Sequence, residues 1–186
     1  MLDKTQVHKV LVITLSNIGD VIATLPVIDV LRNCFPDASL TVMSGPRVTG
    51  IFENCPWLSE LIVYDKHSPM REKIKLTSAL RKKRFDLVVD LRNTAFPLLI
   101  GAKYKTTPFI IIPKTVKHMK DRHLYRLEIL LGSMPKDIKY NSFCISQKDN
   151  DYIKDMLNKD GIGDDEKLVL IAPGANSELK KWSKEN

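Results

Sequence analysis

Short apolar runs separated by amphipathic segments constrain this chain more than any other feature. Val10-Leu11-Val12-Ile13 and Leu87-Val88-Val89 are apolar at consecutive positions rather than alternate ones. A strand of that kind is covered on both faces, which is the habit of parallel sheets. Between such runs, apolar residues recur at helical spacing, as at Val21, Leu25, Ile28 and Leu31. Strands alternating with helices predict an α/β domain: a Rossmann-like parallel sheet with helices on both faces. Right-handed crossovers then bring every strand's carboxyl end to one edge, where ligands bind in open α/β sheets. Asp20, Gly45, Asn93 and Gly174 are expected near that edge.

The individual elements are legible at this level. Strands are expected at Lys9–Thr14, Ser39–Met43, Leu61–Tyr64, Phe85–Leu91, Ser142–Ile145 and Lys167–Ile171, with extended pieces at Lys103–Thr106 and Phe109–Ile112. Helices are expected at Val21–Arg32, Arg47–Glu53, Lys73–Arg84, Thr94–Gly101, Asp121–Leu131 and Asn150–Lys159. Pro26 inside the first of these predicts a kink or an irregular first turn. Gly132 is placed to end the helix before it. The chain stops at Asn186 as a strand–loop–helix unit opens, which reads as a chain cut short of a second domain.

Charge narrows the function classes. The formal net charge of the 186 residues is +7, and the span from Asp65 to Arg126 alone carries +11. A basic middle suits an anionic partner: nucleic acid, acidic lipid headgroups or a phosphorylated substrate. Interleaved aromatics and a recognisable nucleic-acid module are missing, so no nucleic-acid partner is expected. Arg71, Lys73, Lys75, Arg81, Lys82, Lys83 and Arg84 fall on one helix, either as a solvated face or as a site for phosphate or carboxylate groups. Cys34, Cys55 and Cys144 are isolated, which argues against a disulfide framework or a zinc site and suits a reducing cytosol. The apolar run at residues 10–15 is too short for a secretory core, and no run approaches the roughly 18–20 residues of a membrane span.

The first βα turn, Ser16-Asn17-Ile18-Gly19-Asp20, holds one glycine. It is no G-x-G-x-x-G, and no G-x-x-x-x-G-K-[ST] occurs anywhere, so dinucleotide and P-loop sites are not expected. Two readings of the turn compete. Ser16 caps the helix and Asp20 serves its first turn through the dipole, or Asp20 is a general base that takes a proton from a substrate hydroxyl. His8, His67, His118 and His123 show no metal spacing. Near the end, Pro173-Gly174-Ala175-Asn176 before Lys180-Lys181-Trp182 forms a glycine turn that could cradle an anion at a helix start.

Taken in order, these segments resemble glycosyltransferase family 9, the ADP-heptose:lipopolysaccharide heptosyltransferases. The resemblance is carried by residues 9–13 with Ser16-x-x-Gly19-Asp20, Leu25-Pro26, and Leu31-Arg32 through Phe35-Pro36-Asp37. It continues through Thr41-Val42, Ser44-Gly45-Pro46, Val63-Tyr64-Asp65 and residues 85–91, then His123, Arg126, Leu130-Leu131-Gly132, Pro173-Gly174-Ala175 and Lys180-x-Trp182. It implies the N-terminal half of a GT-B glycosyltransferase: an acceptor-side Rossmann-like domain over residues 1–160 and the beginning of a donor-binding domain over 161–186. It implies an inverting transfer of a heptose or related sugar from a nucleotide sugar such as ADP-heptose, without metal or cofactor. The implied acceptor is an anionic lipid A–core oligosaccharide, reached from the cytoplasm with peripheral attachment to the inner membrane.

By the same resemblance Asp20 is the catalytic base. Ala175, Asn176 and Lys180 meet the donor, and Ser16, Asn17, Gly19, Arg47, His123 and Arg126 are assigned to the acceptor. Two departures stand out: Ser183 replaces a proline usual after the tryptophan, and Ala175 and Asn176 stand where hydroxyl residues are common. The family's nucleotide base and ribose contacts lie in a C-terminal domain of which the chain holds only the start, so weak donor binding is expected of the chain alone. The competing expectation is a non-catalytic module that binds anionic glycolipid or a membrane surface.

Overall fold

The computed structural model describes residues 2–108, 110–163, 166–172, 174, 175 and 181. The chain divides into two compact units, residues 1–144 and 145–186.

The first unit is built on a five-stranded sheet: β1 (Lys9–Ile13), β2 (Ser39–Ser44), β3 (Glu60–Val63), β4 (Leu87–Asp90) and β5 (Tyr104–Lys105). The strand order is β3-β2-β1-β4-β5 and every pair is parallel. The doubly wound architecture expected from the alternation is therefore present. Parity along β1 explains its unbroken apolar run. Val10 and Val12 join the core with Val27, Leu31, Leu127 and Leu131, while Leu11 and Ile13 join that with Leu80, Phe96 and Ile100. These four residues are at most 1% exposed. At about 1.5–3 kcal/mol for each fully buried side chain, both faces contribute to holding β1 central. Its amino end is pinned as well: the Asp86 carboxylate accepts from the backbone N–H groups of His8 and Lys9, each at 2.9 Å.

One face is covered by α1 (Ile18–Ile22), α2 (Leu25–Cys34) and α5 (Met119–Leu131), the other by α3 (Met70–Lys82) and α4 (Phe96–Ile100). The single helix expected over Val21–Arg32 is two. The chain breaks at Ala23–Thr24, and Pro26 lies in the first turn of α2, where its missing N–H costs nothing. Thr24 Oγ1 donates to the Val21 carbonyl at 2.6 Å and accepts from Thr14 Oγ1 at 2.8 Å, tying the break to the end of β1. The segment after β2 is a 3-10 helix, Pro46–Ile51. Gly132 closes α5 with φ 80°, its N–H bonding the Glu128 carbonyl, as its position predicted.

Two expected strands are absent. Ser142–Ile145 pairs with no strand; Asn141 N–H and Ser142 Oγ instead donate to the buried carboxylate of Asp29 on α2, at 2.9 and 2.7 Å. Lys167–Ile171 is not a strand either. Its apolar residues, Leu168 to Ile171, are 57–89% exposed, and a strand needs a partner edge for its backbone bonds that the described residues do not supply. Consequently Gly174 does not follow a strand end, unlike Asp20, Gly45 and Asn93. Residues 110–112 form no regular element, and Phe109 lies outside the described residues.

The second unit contains α6 (Gln147–Lys159). It starts before Asn150 because Ser146 and Asp149 form a reciprocal capping box. Among the described residues no helix is long and apolar enough to cross a membrane.

Candidate functional site

The carboxyl edge of the sheet gathers charged side chains from three elements. Asp20 lies on α1, in the first turn after β1, half-buried. The N-cap of α1 is Asn17, not Ser16, and its side chain makes no capping bond. The Asn17 amide instead donates to Asp20 Oδ2 at 3.0 Å. Neither Ser16 nor Asp20 caps the helix, while Asp20 is the acidic residue of its first turn, where its charge also faces the positive end of the helix dipole. Its Oδ1 has no hydrogen-bond partner among the described residues, which leaves one oxygen open to accept a proton.

α5 brings His123 and Arg126 toward this point. His123 is 2% exposed, and neither ring nitrogen has a partner among the described residues. Burial pushes its pKa down to about 4, helped by Arg126 and Arg122 and opposed by the charge of Asp20. The ring is thus neutral near pH 7, with one donor and one acceptor available. Arg126 is half-buried with an unpartnered Nε; burial and then Arg122 lower its pKa, and Asp90 opposes them.

Asp90 ends β4 and was not singled out from sequence as a site residue. It is 3% exposed and accepts from Arg92 N–H at 2.8 Å and from Thr94 N–H and Oγ1, both at 2.6 Å. Burial raises its pKa, against the lowering effect of those hydrogen bonds. The signal was present in Asp90-Leu91-Arg92-Asn93-Thr94: an aspartate at a buried strand's end, followed by residues that turn back onto its side chain. Asn93 takes the left-handed conformation such a turn requires, with φ 58°.

A cleft of about 210 Å³ brings Ser16, Asn17 and Arg47 together with Tyr64, Lys66 and His67. It is possible because Gly45 lies against Ser16. A Cβ at Gly45 would stand 2.6 Å from Ser16 Oγ and 3.0 Å from Ser16 Cα. Gly19, in α1, is exposed and lines none of this cleft. Ala175 is half-buried in the second unit; Asn176 and Lys180 lie outside the described residues, as do Trp182 and Ser183. Among the described residues no three metal-ligating side chains cluster.

No protein-family model matches the chain. Over 98 residues it is 30% identical to the lipopolysaccharide core heptosyltransferase OpsX of Haemophilus influenzae, an alignment spanning 50% of this chain and 28% of that protein. Its fold matches the glycosyl transferase family 9 protein of Veillonella parvula with a TM-score of 0.78 at 22% identity, over 95% of this chain and 56% of the other. The chain resembles family 9 in sequence and in fold. The ADP-heptose lipopolysaccharide heptosyltransferase II of E. coli matches with a TM-score of 0.63 at 21% identity, over 84% of this chain and 51% of that one. The chain thus has a Rossmann-like parallel sheet that matches the fold of these GT-B-like glycosyltransferases. It spans 28% of the curated relative and little more than half of the solved structures.

Proposed function

We propose that this chain is the acceptor-side part of an inverting glycosyltransferase that moves a heptose from ADP-heptose to an anionic lipopolysaccharide-core acceptor. The observation that carries the reading is Asp20: a carboxylate at the first strand's carboxyl end, held through one oxygen by Asn17 and open at the other. The identity to a core heptosyltransferase supports the substrate class.

In this mechanism Asp20 Oδ1 accepts the proton of the acceptor hydroxyl. The acceptor oxygen attacks the anomeric carbon from the face opposite the leaving group. The bond from that carbon to the phosphate oxygen breaks, and the nucleoside diphosphate departs with the electron pair. Arg47 and Arg126 offer guanidinium groups to the acceptor's phosphates or carboxylates, for which their fork geometry is suited. Ser16, Asn17, Gly19 and neutral His123 complete the acceptor side. Ala175, Asn176 and Lys180 hold the donor diphosphate. Location at the cytoplasmic face of the inner membrane follows from the acceptor's chemistry.

The test is transfer by the full-length gene product, read by mass spectrometry of a heptose-deficient core acceptor incubated with ADP-heptose. A product heavier by one heptose, and lost in Asp20→Asn, is expected. Sugar transfer that persists in Asp20→Asn removes the base role, and no transfer with intact donor binding favours the binding-only module.

A further inference from the structure

A second cleft, of about 790 Å³, lies between α3 and α4. Its floor includes Tyr64 and Phe96, whose rings meet edge to face with centroids 5.1 Å apart. Its apolar walls are open to water: Met70 is 69% exposed, Ile74 62% and Leu99 53%. Four cations, Lys73, Arg81, Lys82 and Arg84, line it, and no acidic residue does. None of the four makes an ion pair among the described residues. A solvated basic helix has no need of Met70 and Ile74 on the same side as its charges, and an exposed apolar groove marks a contact surface.

We propose that the α3–α4 cleft is a membrane-docking surface that takes a hydrocarbon chain of an anionic bilayer lipid between its walls. The flanking cations hold the lipid phosphates while their aliphatic stems extend the apolar wall. Tyr64, Thr94 and Ala95 place one end of the cleft at the carboxyl edge of the sheet, beside Asp90. The proposal does not depend on sugar transfer, because binding is read without donor, acceptor or turnover.

The experiment is flotation of the full chain with vesicles of equal parts phosphatidylglycerol and phosphatidylcholine, against phosphatidylcholine alone. Three double variants are compared: Arg81→Gln with Lys82→Gln, Ile74→Ser with Leu99→Ser, and the control Lys148→Gln with Lys154→Gln on α6. All these positions are exposed, and circular dichroism verifies folding. Binding to anionic vesicles only is expected, weakened roughly 10- to 30-fold by losing Arg81 and Lys82. The Ile74 and Leu99 variant is expected to lose the part of binding that survives at high salt, where charge is screened within about 3 Å. The control binds as the parent chain does. A control variant as weak as the Arg81 and Lys82 variant, binding unchanged by Ile74→Ser with Leu99→Ser, or no binding to anionic vesicles at low salt overturns the proposal. So does a dimer in solution that the Ile74 and Leu99 variant dissociates, which assigns the cleft to a second copy.

Discussion

Asp20 and Asp90 both stand at strand ends, and their hydrogen bonds set them apart. Asp90 is closed in by three donors from its own turn, whereas Asp20 has one. A group so enclosed orders a loop; an open one is available to chemistry. His123 gives this corner a measurable pH signature. Its folded pKa of about 4 lies below its ordinary value of 6.5, so between those pH values the unfolded chain binds the extra proton. Stability contributed by neutral His123 is present above pH 6.5 and is lost as the pH falls toward 4, by up to about 3 kcal/mol. The raised pKa of Asp90 acts in the opposite direction on acidification, so the comparison is with His123→Phe, in which the loss between pH 6.5 and 4 is smaller. Equal acid sensitivity in urea denaturation of both proteins contradicts the assignment. Gly45→Ala tests the close approach that shapes the Ser16 cleft. It is expected to cost about 1–3 kcal/mol in chemical denaturation, because its Cβ meets Ser16 down to the backbone. Combining it with Ser16→Gly returns part of that loss; a neutral Gly45→Ala contradicts the packing.

At the scale of elements, the sequence pattern located every strand of the sheet and, apart from the separate α1, every helix of four or more residues among the described residues, within a few residues at their ends. What it could not locate depended on tertiary partners. The α1–α2 break is fixed by the Thr14–Thr24 contact across the sheet's edge, which joins residues ten apart in sequence and leaves no periodic trace. Ser142–Ile145 has a strand-like composition but pairs with no strand; the chain is tethered there through Asn141 N–H and Ser142 Oγ to Asp29, more than a hundred residues earlier. That contact is itself testable. Asp29 is 3% exposed, and Asp29→Ala takes the acceptor from the buried Ser142 hydroxyl and from the part-buried Asn141 N–H, at an expected cost of about 1–3 kcal/mol in urea denaturation. A loss below about half a kcal/mol, the scale of ordinary surface substitutions, contradicts the role given to this carboxylate. Asp90 was missed for the same reason: a site residue at a strand end is recognised by what folds back on it.

For the whole molecule, the fold was legible because a buried parallel strand has few alternatives, and the ordered motifs pointed to the same architecture that the solved structures share. The donor side was legible only as a motif: Asn176 and Lys180 fall outside the described residues, and Ala175 belongs to the second unit. The proposed function therefore rests on the acceptor side. Its most direct test is the turnover of the full-length gene product with ADP-heptose and a heptose-deficient core acceptor, compared with Asp20→Asn. If Asp20 is the base, kcat falls about a thousandfold, with circular dichroism unchanged and the KM for donor within about twofold. An Asp20→Asn protein that keeps most of its kcat contradicts it.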